Sequence, residues 1–100
     1  MANPAYTEIF ILKKLFEKAG IPFDFSERPL EHGWQICYPS QANCIFSVIE
    51  LDGSYGSQVD KLEVCGPIRD LDSDNVIGFM SASATFKLIA EFHKKYVMMS

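Results

Sequence analysis

Between Ile9 and Ala19, the apolar residues Ile9, Leu12, Leu15, Phe16 and Ala19 fall on one side of a 3.6-residue wheel, with Thr7, Lys14 and Lys18 opposite. That spacing predicts an amphipathic helix. Asn3-Pro4 offers it a start, because an Asn side chain accepts hydrogen bonds from free amides and Pro fits the first helical position. Gly20 supplies a left-handed stop, Ile21 an apolar contact beyond it, and Pro22 bars continuation. Phe10 and Ile11 lie partly off the stripe. They are candidates for docking another subunit, or equally for cover by a loop of the same chain.

The period then drops to two. Ile21, Phe23 and Phe25 alternate with Pro22, Asp24 and Ser26, the pattern of a half-buried strand. Pro29 and Gly33 bracket a turn, after which Trp34, Ile36 and Tyr38 alternate with Gln35 and Cys37. From Cys44 to Leu51 nearly every position is apolar, as in a central strand covered on both sides. Asp52-Gly53 and Gly56 mark the next reversal, and Val59 to Cys65 reads as a further strand. Pro67 to Asn75 reads as a polar, acidic connection, and Val76 to Met80 as a short strand or the approach to a last helix. Ser81 caps that helix, along which Phe86, Ile89, Ala90, His93, Tyr96 and Val97 recur at helical spacing.

Short spacings and turn residues favour antiparallel hairpins over crossovers. Two helices with one apolar face each need a surface to cover, and the sheet offers one. The expected architecture is a single α+β domain over residues 1–100. It is a two-layer sandwich with the N- and C-terminal helices on one face of a four- to five-stranded antiparallel sheet. Exposed strand edges invite pairing, so a homodimer is compatible with this arrangement.

Composition adds limits. The chain has 100 residues, 48% of them hydrophobic and 22% charged, as in soluble globular domains and unlike disordered ones. The apolar run Ile9–Leu12 is ended by Lys13 and Lys14, too short for a signal peptide or a span. A cytoplasmic address without membrane attachment is the expectation. Three cysteines, Cys37, Cys44 and Cys65, lack a C-x-x-C pair and read as reduced packing residues. The net charge of −4 is uneven: the two helices sum to +3 and the acidic middle to −7. An acidic domain without a reading motif argues against nucleic acid, despite Lys13, Lys14, Lys18, Lys94 and Lys95.

Candidate chemistry is sparse. Asp70, Asp72 and Asp74 alternate as do the first ligands of a calcium loop, but Asn75 stands where Gly is needed and Ser81 where the bidentate Glu is needed. An acidic surface loop is the simpler reading, so no metal and no cofactor is assigned. His32 lies in a turn beside Glu31 and Gly33, and His93 lies on the last helix near Tyr96; the sequence sets no nucleophile with an orienting partner at either, so no catalytic residue is assigned. Gly53-Ser54-Tyr55-Gly56 leads into a strand instead of a helix and lacks the lysine of a phosphate loop. Tyr55 at its tip is an interaction candidate, with Phe10 and Ile11.

Three stretches carry a resemblance: Asp52-Gly53-Ser54-Tyr55-Gly56, Leu62-Glu63-Val64-Cys65-Gly66, and Val76-Ile77-Gly78-Phe79-Met80-Ser81-Ala82 followed by Phe86 and Ile89. Over roughly residues 45 to 97 the chain resembles small uncharacterised prophage-associated proteins of gut Firmicutes. Those share a GSYG turn, an LE-x-x-G strand end and a V-x-G-[YF]-[LM]-[ST]-A lead into a C-terminal helix. Ser83 and Ala84 replace the acidic residues that commonly open that helix. The resemblance implies a bacterial or phage cytoplasmic setting and brings no catalytic residues. The functional expectation is a non-enzymatic accessory or protein-interaction module with an unidentified protein partner. The alternative is a small-ligand or enzymatic domain with a pocket between helices and sheet, near Trp34, Tyr38, His93 and Tyr96.

Overall fold

The computed structural model describes residues 6–98. Helix α1 (Glu8–Ala19) is followed by five strands: β1 (Asp24–Arg28), β2 (Gly33–Pro39), β3 (Cys44–Glu50), β4 (Leu62–Asp70) and β5 (Ser73–Met80). Helix α2 (Ala82–His93) follows and runs into a π-helical turn, Lys94–Met98. The strands pair antiparallel with their sequence neighbours in the order β1-β2-β3-β4-β5. Short 3₁₀ turns, Pro29–Glu31 and Ser57–Val59, sit in two of the connections.

Alternation on a pleated strand decides which side chains go inward. The register Ile36↔Val48↔Val64 lines up one buried row, and Tyr38, Phe46 and Leu62 lie on the same face. Helix α1 brings Ile9, Leu12 and Phe16 to it, and α2 brings Ala82, Thr85 and Ile89. The rings of Phe16 and Phe86 meet at 5.9 Å, so the two helices lie side by side on the same face. Each fully buried large side chain contributes about 1.5–3 kcal/mol, which makes this layer the main source of stability. The expected two-layer α+β architecture is the observed one.

The ends of α1 follow the expected chemistry only in part. Gly20 adopts φ 72°, and Ile21 donates its N–H to the Phe16 carbonyl at 3.1 Å while burying its side chain. Because Ile21 completes the helix stop, the first strand begins at Asp24 and not at Ile21. The Asn3-Pro4 start lies outside the described residues. The first helical turn stands at Thr7–Glu8.

Two expectations about the middle need correction. Strand β3 is central, but the helices cover only one of its faces; Ile45 and Ile49 are half-buried. The other face carries a polar network: Arg28 Nη1 donates to Gln35 Oε1 at 3.0 Å, and Gln35 Nε2 donates to Ser47 Oγ at 2.9 Å. The stretch Pro67–Asn75 is not a loose connection either. It extends β4 and β5 into one long hairpin, closed where Asp72 donates its N–H to Asp70 Oδ1 at 2.6 Å. The register slips between Gly66 and Asp70, which is where a strand tolerates the missing N–H of Pro67.

Candidate functional site

Near its end the β4–β5 ladder carries one extra residue. Leu62 pairs with Met80 and Val64 with Ile77, so Gly78 and Phe79 together face Glu63. This is a β-bulge, a device that re-aims side chains at sheet edges. Phe79 adopts φ 59°, in the left-handed region that costs a bulky residue about 1–2 kcal/mol.

The loop after β3 holds the bulge in place. Phe79 donates its N–H to the Tyr55 carbonyl at 3.2 Å, and Tyr55 donates its own N–H to Glu63 Oε1 at 2.9 Å. Within the loop, Ser54 Oγ donates to the Leu51 carbonyl at 2.8 Å, and Lys61 donates its N–H to the Gly56 carbonyl at 2.9 Å. Tyr55 lies directly on Gly78, where an added Cβ would stand 2.3 Å from Tyr55 Cβ. The result is a fixed backbone that leaves two aromatic side chains, Tyr55 and Phe79, each 63% exposed. Replacing Gly78 by alanine is expected to push this loop off the bulge at a cost of about 1–3 kcal/mol. Loss of amide protection at Tyr55 and Phe79 in hydrogen exchange, with the α1 amides unchanged, is the signature to look for.

The other interaction candidates lie elsewhere. Phe10 packs edge-on against Trp34 at 4.9 Å and tilts against Phe25 at 5.5 Å, which covers much of its ring with strands of the same chain. Ile11 stays 44% exposed on α1. Phe10 stands over β1 and β2 and Tyr55 over β5, so the candidates occupy opposite sides of the sheet. Asp70, Asp72 and Asp74 line the tight end of the β4–β5 hairpin instead of a loop between helices. Among the described residues, no three His, Cys, Asp or Glu side chains stand close enough to hold a metal ion.

Where the two helices begin, three carboxylates converge. Asp60 accepts the Thr7 hydroxyl, the Thr7 N–H at 2.7 Å and the Glu8 N–H at 3.1 Å, so it caps α1 from another part of the chain. Glu8 in turn accepts the Ala82 N–H at 2.9 Å, beside the Ser81 hydroxyl that accepts from Ala84, and so caps α2. Glu50 is fully buried, and its Oε1 accepts the Ile9 N–H at 3.2 Å. Its Oε2 has no donor to accept from. A proton on Glu50 resolves this: burial first, and then the bond it makes to Asp60, push its pKa up to about 9. Burial works against ionisation of Asp60 too. It is outweighed by the bonds from Glu50, the Thr7 hydroxyl and the Thr7 and Glu8 amides, which bring Asp60 down to about 2. Glu50 is therefore held neutral beside an ionised Asp60. The cluster serves the helix ends, where the partial positive charge favours carboxylates.

Tyr38 OH and His93 Nδ1 share a hydrogen bond of 2.7 Å, and burial raises the Tyr38 pKa. His93 borders a cavity of about 350 Å³ with Ala19, Ile21, Phe86 and Ala90, and no carboxylate lines it. Trp34 belongs to the cluster with Phe10 and Phe25, and Tyr96 packs on Phe92 at 4.8 Å. Of the expected pocket residues, Tyr38, His93 and Tyr96 are linked through Phe92 at the end of α2, and Trp34 stands apart from them. Of the cysteines, Cys37 is buried and Cys65 half-buried, as packing residues are, but Cys44 is exposed. Although the residue as a whole is exposed, its sulfur is turned inward and donates to the Phe46 carbonyl at 3.3 Å, so desolvation of the sulfur, and then the Cys37 thiol, raise the Cys44 pKa. Burial and the nearby Asp74 and Glu63 carboxylates raise Cys65 as well. Both remain thiols at neutral pH, so neither is activated as a nucleophile.

The sequence singled out Tyr55 as an interaction candidate and did not single out Phe79, Glu50 or Asp60. An isolated Gly in a strand pattern signals a bulge, and Gly78 was that signal. In comparisons with known proteins, the chain matches no family model, no curated protein and no solved structure. The class that the coordinates define is a two-layer α+β domain with an open five-stranded antiparallel meander.

Proposed function

We propose that this chain is a non-enzymatic accessory module of prophage-like character that acts by binding another protein, with Tyr55 and Phe79 as its contact surface. The carrying observation is Phe79 itself. A strained, left-handed phenylalanine with its ring in water gains nothing for the fold, and such strain concentrates where binding uses it. Tyr55 beside it has the same exposure on a loop whose backbone is already ordered, so a partner meets two aromatic anchors at low entropic cost.

The test is affinity capture from the native host with the full chain as bait. A specific partner retained by the wild type and reduced about tenfold by the Tyr55→Ala, Phe79→Ala double variant supports the reading. Melting within a few degrees of wild type is expected for that variant, because both rings are exposed. Capture of no protein that depends on these two residues overturns it. A second reading, a small-ligand domain, draws on the apolar cavity beside His93. It is tested by whether apolar probe molecules shift the His93 and Ala90 resonances.

A further inference from the structure

The two edges of the sheet are finished differently. Strand β1 is short and carries Asp24, Glu27 and Arg28 among its five residues, between Pro22 and Pro29. Charges, prolines and brevity are how edge strands are kept from pairing. Strand β5 is eight residues long, and Asp74 is its only charged residue. It stands last in the sheet, with no strand on its far side among the described residues. Val76 is 52% exposed on it, opposite Cys65 and so on the face away from the helices. The bulge at Gly78–Phe79 ends the straight part of the edge and sets Tyr55 and Phe79 at that end.

We infer that β5 accepts an extended segment of a partner protein as a sixth strand, and that this segment carries Lys or Arg and an apolar side chain two residues apart, in the order its direction along β5 sets. This rests on the protein-binding reading above and names the partner's chemistry. The open row of backbone N–H and C=O groups selects an extended chain, since a strand satisfies them as a helix cannot. Charge selects among extended chains. The hairpin from Leu62 to Met80 holds Glu63, Asp70, Asp72 and Asp74 against Arg69, a net −3 out of the −4 of the whole chain. A second copy would bring another −3 alongside, whereas a basic segment is attracted. Residues two apart on a strand share a face, so Asp74 and Val76 lie together on the face away from the helices. A guest strand on that face meets a carboxylate and then an isopropyl group.

The probe is a synthetic peptide of the same length as β5, with the repeat Lys-Thr-Val-Thr. It is compared with a version carrying Glu for Lys, and with two versions N-methylated on alternate sets of amides. Binding to the full chain is measured by anisotropy and mapped by amide chemical shifts. The Lys peptide is expected to bind about tenfold or more tightly than the Glu peptide, with Asp74→Lys reversing the order. Its shifts are expected at residues 73–78. N-methylation of one alternate set is expected to abolish binding and of the other to leave it, because a guest strand uses only one of its edges. Equal binding of the Lys and Glu peptides, equal tolerance of both methylated sets, or shifts confined to α1 would overturn the inference. So would absence of binding at millimolar peptide, or self-association of the chain through residues 73–78. Capture of a partner that needs Tyr55 and Phe79, with no peptide on β5, defeats this inference alone. Peptide on β5 without such capture defeats the aromatic-surface reading alone.

Discussion

Asp60→Ala is expected to lower stability by about 3–5 kcal/mol, a large part of the roughly 5–15 kcal/mol that holds a domain of this size together. Three losses add. The first turn of α1 loses the acceptor of the Thr7 and Glu8 amides, and a missing helix cap costs about 0.5–2 kcal/mol. Buried Glu50 loses the ionised carboxylate beside it, and an unsatisfied buried polar group costs about 1–3 kcal/mol. Alanine must also occupy the left-handed conformation at φ 56°, which aspartate tolerates better, for up to about 1 kcal/mol more. Asp60→Asn keeps an acceptor oxygen and tolerates that conformation, so about half the loss is expected. In thermal melts the alanine variant should fall by roughly 15 °C or more, with asparagine between it and wild type. Equal melting of the alanine variant and wild type would show that Asp60 does not hold the helix end.

Glu50 makes stability depend on pH in a direction opposite to most carboxylates. Its pKa is about 9 in the folded chain against an ordinary 4.5, so the folded state holds a proton that the unfolded state has released. Stability contributed by this group is complete below about pH 4.5 and is lost as pH rises toward 9, by at most about 1.4 kcal/mol per pH unit. Asp60 acts in the reverse sense. Its folded pKa of about 2 lies below the ordinary 3.8, so its contribution is present above about pH 4 and is lost as pH falls toward 2. Maximal stability is therefore expected between these windows, near pH 4–5. Glu50→Gln copies the protonated acid: its carbonyl oxygen accepts from Ile9 and its neutral amide stands beside Asp60. That variant is expected to match wild type near pH 4.5 and to exceed it by on the order of 2–3 kcal/mol at pH 7. Urea melts at the two pH values decide the matter. A wild type whose stability rises from pH 5 to pH 8 would refute the assignment.

The helices and the meander were legible because their signals are local. A stripe at helical spacing ending in Gly20-Ile21-Pro22 specifies α1 without reference to the rest of the chain, and Ser81 does the same for the start of α2. The β4–β5 hairpin was hidden because Pro67 and the charged run Arg69–Asp74 break the apolar alternation by which a strand is read. Its pairing comes from the neighbouring strand. Tyr55 stood out between Gly53 and Gly56. Phe79 did not, since a left-handed phenylalanine has no signature of its own and depends on the Tyr55 carbonyl that fixes it. Glu50 looked like the end of an apolar run and Asp60 like one more solvated acid. Their roles arise from contacts 41 to 53 positions apart, which periodicity cannot register.

The bond from Ala82 to Glu8 joins residues 74 positions apart. During synthesis from the N-terminus, the sheet and first helix emerge well before their counterpart, and half of the inner face then has no roof. A nascent chain halted near residue 80 would present Leu62, Val64 and Phe46 to solvent and to chaperones. The domain thus closes only when Ala82–His93 folds over the sheet, which makes the arrival of that one helix the step that withdraws these side chains from water.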